Sequence, residues 1–141
     1  MTEKILVPID NSETSRQTVA TLIRNKERLS LPLTLLHVVD VDRLAYRMIP
    51  DFQVSMVREK AEEAGRLFLD EQARAFADAG IEVEQRLEEG SPRATIVRIA
   101  NEEQYRLLII GRHTMGEIRD VLFGSVANHI MHKVHCPVLL L

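Results

Sequence analysis

The chain has 141 residues and a formal net charge of -3, from 18 Lys and Arg against 21 Asp and Glu. That is the length of a single domain, and its charge balance lacks the basic excess of a general nucleic-acid binder. Hydrophobic residues make up 45%, enough for an ordinary core, and the one cysteine, Cys136, excludes a disulfide framework and fits a reducing compartment.

No apolar run approaches the roughly 18 residues of a membrane span. The apolar stretch near Met1 is short and ends at Pro8 and Asp10, without the layout of a secretory leader, so a cytoplasmic location is expected. In chain order, Ile5-Leu6-Val7-Pro8-Ile9 predicts a buried strand ending at Asp10, with Asn11 and Ser12 as helix caps behind it. Val19, Leu22, Ile23 and Leu29 mark the apolar face of a first helix. Leu33-Thr34-Leu35-Leu36-His37-Val38-Val39 predicts a second buried strand, with His37 held by a buried hydrogen bond.

An irregular connection over 41–50 follows, with Tyr46 and Met48 in it; it reads as a linker or a lid. The spacing of Val57, Ala61, Ala64 and Phe68 predicts one face of a long helix over 51–79, ended by Gly80. Arg58, Glu59, Lys60, Glu62, Glu63 and Arg66 form its solvated side. Ile81, Val83 and Leu87 alternate with charged residues, the pattern of a half-buried strand at a sheet edge. Gly90-Ser91-Pro92 opens a third helix, with Ser91 as cap and Pro92 in its first turn, and Ile96, Val97 and Ala100 on its buried face. Leu107-Leu108-Ile109-Ile110 is a fourth strand, ending at Gly111 and a polar loop over 112–119. Phe123, Ala127, Ile130 and Val134 mark a last helix, and Pro137-Val138-Leu139-Leu140-Leu141 a fifth strand.

Strands alternating with helices imply right-handed crossovers and a parallel, doubly wound sheet covered on both faces. Its ligand site belongs beyond the carboxyl ends of the strands, where strand order reverses. Two strand ends carry unusual residues there: Pro8-Ile9-Asp10-Asn11-Ser12, and Gly111-Arg112-His113-Thr114-Met115-Gly116 with Gly124-Ser125 eight residues on. Glycines let backbone amides approach a ligand, a helix start offers free N–H groups to an anion, and Arg112 and Arg119 carry compensating charge. A glycine-bearing loop before a capped helix is an equal description of the second segment, and a turn residue of Asp10. His129, His132 and His135 step by three beside Cys136, but a helical pair lacks the further ligands of a metal site, so none is expected.

These segments together resemble the universal stress protein family over the full length, as one domain spanning 1–141. The resemblance rests on Pro8-Ile9-Asp10-Asn11-Ser12, Leu36-His37-Val38-Val39, Gly90-Ser91-Pro92, Cys136-Pro137-Val138-Leu139, and the glycine pattern of Gly111, Gly124 and Ser125. It implies a Rossmann-like α/β fold of the adenine nucleotide α-hydrolase type, five parallel strands in the order 3-2-1-4-5. It implies a homodimer through the fifth strand, 136–141, where an apolar edge needs covering. It also implies ATP, with Mg2+, as ligand in a stress response. Gly111, Gly124 and Ser125 would line the phosphates; Pro8, Asp10 and the backbone of Val39 would hold the base and ribose; His113, Thr114 and Gly116 belong to the loop. Thr114 stands where the pattern has its second glycine, and Asn11 where the first motif has one. No catalytic residue is expected: the chain has no Gly-x4-Gly-Lys-Ser/Thr loop and no second carboxylate placed as a base, so hydrolysis would be slow at most. A nucleotide-free interaction module and a slow ATPase are the alternatives, with an unidentified protein partner. A flavin enzyme is disfavoured with only Tyr46 and Tyr105 beyond phenylalanine, and a phospho-receiver by the absence of a fifth-strand lysine.

Overall fold

The computed structural model describes residues 2–41, 51–111 and 125–141, with the side chains of residues 2, 51, 52 and 125 excepted. The connection read over 41–50 lies outside the described residues beyond Val41. Five parallel strands form one sheet: β1 (Thr2–Pro8), β2 (Leu33–Asp40), β3 (Val83–Gly90), β4 (Tyr105–Ile110) and β5 (Val138–Leu140), in the order β3-β2-β1-β4-β5. Among the described residues four helices flank it: α1 (Glu13–Arg24), α2 (Asp51–Asp78), α3 (Pro92–Glu102) and α4 (Ser125–Lys133). This is the expected doubly wound α/β architecture. Among the described residues no helix is long and apolar enough to cross a membrane.

Successive strand residues point to opposite faces, so the apolar strands feed two cores at once. On one face Ile5, Val7, Leu33, Leu35 and Ile109 meet Val19 and Leu22 of α1 and Leu69 and Phe76 of α2. On the other, Leu6, Leu36, Leu108 and Ile110 meet Ile96 and Ile99 of α3 and Ala127 and Ile130 of α4. Thr34 is fully buried in this second layer, and its hydroxyl has no hydrogen-bond partner among the described residues.

Several local details differ from the expectations. α1 stops at Arg24; Lys26–Arg28 form a single 3-10 turn, and Leu29 packs on the core from beyond it. Ala64 is exposed, and the buried residues of α2 are Gly65, Leu69 and Phe76. Gly65 takes part because it lets the helix approach the sheet: a Cβ there would lie 2.9 Å from Leu87 Cδ1 and 3.1 Å from His37 Cδ2. Ser91 stands at the N-cap of α3, but its hydroxyl makes no capping bond; only its carbonyl accepts, from the Thr95 N–H at 2.9 Å. Gly80 ends the turn after α2 at φ +82, as its position predicts.

At about 1.5 Å per residue α2 is about 42 Å long, against about 26 Å for an eight-residue strand. Gly65 meets the sheet beside His37 and Val39, close to the end of β2 at Asp40. The first turns of α2 therefore rise past the carboxyl ends of the strands.

The two edges of the sheet are unlike. β3 pairs with β2 over eight positions, from Leu33↔Val83 to Asp40↔Gly90, and carries Glu84, Arg86, Glu88 and Glu89. Lys4 pairs with Glu84. Arg86 donates to Glu88 Oε1 at 2.9 Å and to Glu103 Oε1 at 2.6 Å, at the end of α3. β5 pairs with β4 over only three positions and is wholly apolar, with Leu139 44% exposed.

Candidate functional site

The chain leaving β1 is tied down residue by residue. Ile9 is buried; its N–H donates to the Leu36 carbonyl at 2.8 Å, and its own carbonyl lies 3.0 Å from His37 Nδ1. A carbonyl only accepts, so Nδ1 carries the proton. This is the bond expected of His37, whose ring also lies against Phe68 with centroids 5.1 Å apart. The Asp10 N–H donates to Ser15 Oγ at 2.8 Å, and Ser15 Oγ donates to Asp10 Oδ1 at 2.9 Å. The Ser15 N–H donates to Ser12 Oγ at 3.2 Å, which makes Ser12 the N-cap of α1. Arg16 donates to Asn11 Oδ1 at 2.7 Å.

At the other strand end, Gly111 follows β4 directly. A Cβ on Gly111 would collide with Thr18 Oγ1, and would lie 2.7 Å from Thr14 Cγ2 and 3.3 Å from the Thr14 carbonyl. Gly111 is thus the clearance that lets β4 end against the first turns of α1. Gly90, at φ +139, takes a conformation reserved for glycine as β3 turns into α3.

Between these ends lies a cleft of about 340 Å³. Among the described residues its floor is aliphatic, from Leu36, Val38, Ile96, Ile110, Ala127 and Ile130. Its polar rim comes from Asp10, Ser12, Thr14 and Ser15, with Pro8 and Gly111 beside them. The first turns of α1, α3 and α4 all border it, through Ser12, Pro92 and Val126. Their unpaired N–H groups make this end of the sheet favourable to anions.

Of the residues singled out from sequence, Pro8, Asp10 and Gly111 line this cleft. Val39 does not: its side chain is buried toward α2, with Cγ2 3.5 Å from the Gly65 Cβ direction, and the neighbouring Val38 lines the cleft instead. Ser125 opens α4. His113, Thr114, Gly116 and Gly124 lie outside the described residues, as do Arg112, Arg119 and the side chain of Ser125. Sequence reasoning missed Ser15 and Pro92 as members of the site. Ser15 follows the capping Ser12 by three, a spacing that places it in the first turn of α1 facing Asp10.

No group of three or more His, Cys, Asp or Glu among the described residues is arranged to hold a metal ion. His132 and His135 are exposed, and Cys136 is half-buried, with burial raising its thiol pKa above the ordinary value.

The whole chain, residues 1–141, matches the model of the universal stress protein family. A universal stress protein of Methanocaldococcus jannaschii is 27% identical over 99% of this chain and 94% of its own length. Its solved structure superposes with a TM-score of 0.81. A universal stress protein solved in complex with cAMP is 20% identical, with a TM-score of 0.65, over 99% of this chain and 95% of its own. One from Archaeoglobus fulgidus in complex with dAMP is 22% identical, with a TM-score of 0.62, over 99% and 97%. The family match extends over every residue, and the sheet order agrees with the one its motifs imply: the chain belongs to the universal stress protein family.

Proposed function

We propose that this protein is a regulatory universal stress protein that binds ATP, with Mg2+, in the cleft beyond β1 and β4. The observation that carries the reading is the cleft itself: an aliphatic floor bordered by three helix starts and one carboxylate. An adenine ring is flat and apolar on its faces and suits such a floor, while phosphates suit helix N-termini. The cAMP and dAMP complexes of relatives support an adenine nucleotide as the ligand class. On this reading Pro8, Asp10 and Val38 surround base and ribose, the role assigned to Val39 remaining with its backbone. Gly111, Gly124 and Ser125 border the phosphates, with His113, Thr114 and Gly116 in the intervening loop.

The chemistry is binding rather than turnover. Asp10 is the one carboxylate among the described residues of the cleft, and its Oδ1 is engaged by Ser15. Bound nucleotide then acts by shifting conformation or partner affinity. A second copy of the chain covers β5, joining two sheets about a two-fold axis, because an apolar edge strand left open is a template for uncontrolled pairing. A cytoplasmic location agrees with the single, half-buried cysteine.

The experiment is calorimetric titration of the nucleotide-stripped protein with ATP and Mg2+, beside Gly124→Val. Saturable binding lost in the variant is the expected result. Gly111→Ala is the wrong probe, since it strikes α1 and unsettles the fold. Absence of heat and of thermal stabilisation with folded wild type overturns the reading. Thr114 would then have closed the site, leaving a nucleotide-free interaction module.

A further inference from the structure

We propose that Ser15 is a positioning residue for ligand selection: it holds the Asp10 carboxylate so that only a neutral, hydrogen-bond-donating part of a nucleotide, its ribose or base, docks over β1. This rests on the nucleotide reading above and names a determinant within it.

The argument starts from one hydroxyl. Ser15 Oγ accepts from the Asp10 N–H at 2.8 Å and donates to Asp10 Oδ1 at 2.9 Å. A serine hydroxyl has a single proton, and the Asp10 carboxylate takes it. The backbone and side chain of Asp10 are thereby closed into one ring through Ser15. This sets the Asp10 side-chain rotamer, engages Oδ1, and leaves Oδ2 without a partner among the described residues. Both residues line the cleft.

A carboxylate fixed there accepts hydrogen bonds and repels phosphate. It therefore sets the direction of the ligand: donors toward β1, anionic groups toward the opposite wall beside Gly111 and the start of α4. Support for the loop comes from elsewhere, through the Ile9 N–H to Leu36, the Ile9 carbonyl to His37 and the Ser15 N–H to Ser12. None of those bonds uses the Ser15 hydroxyl. Removing it leaves the helix cap intact and frees the Asp10 carboxylate and the Asp10 N–H, and because Asp10 is exposed water can take up both, which separates positioning from folding.

The test titrates wild type, Ser15→Ala and Ser15→Thr with ATP, 2′-deoxy-ATP and ITP, each with Mg2+, and records thermal melts alongside. The analogues remove a ribose hydroxyl and the exocyclic amine in turn. Wild type is expected to prefer ATP over one of them by about tenfold, the value of a hydrogen bond to a charged group. Ser15→Ala should weaken ATP about tenfold and shrink that preference, with an unchanged melt. Ser15→Thr, which keeps a hydroxyl, should restore both. Wild-type selectivity ratios in Ser15→Ala, or a wild type that binds all three nucleotides alike, would overturn the assignment while sparing the nucleotide reading. A wild type that binds none of them overturns the nucleotide reading, and this assignment with it.

Discussion

The two edges of the sheet solve one problem in opposite ways. Each exposes a row of backbone groups that another strand could pair with. β3 is long, and it is guarded by charge: Glu84 meets Lys4, and Arg86 is shared between Glu88 and Glu103. β5 is three apolar residues with no charge at all. The guarded edge reads as a terminus of the sheet and the unguarded one as a joint. On the proposed reading, the difference assigns the second copy to β5.

The sharpest way to break this comparison is to move charge to the apolar edge. Leu139→Lys should convert the proposed dimer to folded monomer, raising its dissociation constant by at least about 100-fold, about 3 kcal/mol. Sedimentation equilibrium with a circular dichroism control reads it. A wild type that is monomeric at high concentration would remove the dimer altogether.

Next in size is the guarded edge. Arg86→Met keeps the apolar stem but strips the hub, and should cost about 1–2 kcal/mol in urea unfolding at pH 7, allowing for the solvent that still reaches the cluster. Arg86, chiefly by hydrogen bonding to it, holds Glu103 below the ordinary carboxylate range in the folded protein. Such a contribution is full above the unfolded pKa and is lost as pH falls through the folded one. The gap between wild type and variant should therefore close as pH falls below the ordinary carboxylate range.

Between the edges, Thr34→Val should stabilise by about 1 kcal/mol, because the buried hydroxyl it removes has no partner among the described residues. A loss of stability would mean that the hydroxyl does have one. The smallest effect is at the end of β3. There Glu62 raises the pKa of Glu89, mainly by a side-chain hydrogen bond, with Arg58 opposing. A raised carboxyl favours the folded state at low pH and loses that advantage as pH rises through the folded value. Glu62→Gln should return the Glu89 carboxyl to its ordinary range in an NMR titration. It should also lift the melting temperature slightly at pH 7 and not at pH 4.

The charged edge was legible because period-two alternation in β3 contrasts with continuous apolar runs elsewhere, whereas the strand order followed from the family resemblance. The same continuity hid Val38. Both residues are apolar, as suits a strand buried on both faces, so nothing in Val38-Val39 tells which one faces the cleft. The buried face of α2 was read in part: Phe68 packs on the core as expected, but Ala64 is exposed, and Gly65 was missed because it has no side chain to count. Gly111 was visible as a cleft residue, whereas the clearance its missing Cβ gives α1 exists only once β4 and α1 are placed. Asp10 was legible as a candidate, whereas its partner Ser15 was not, because a serine in a first helical turn has many uses. The ring it forms exists only once β1 and α1 are placed.

The close approach at Gly65 also makes α2 a lever. The sheet touches the helix there, and about 21 Å of rigid arm extends from that point to Asp51. A tilt of about 5° at this fulcrum swings Asp51 by about 2 Å. A side chain added at 65 would press on Leu87 and His37, and the helix would answer by tilting. A disturbance of a few tenths of an ångström at the sheet is then magnified several-fold above it. The contact that looks most purely structural is also the point about which α2 would turn.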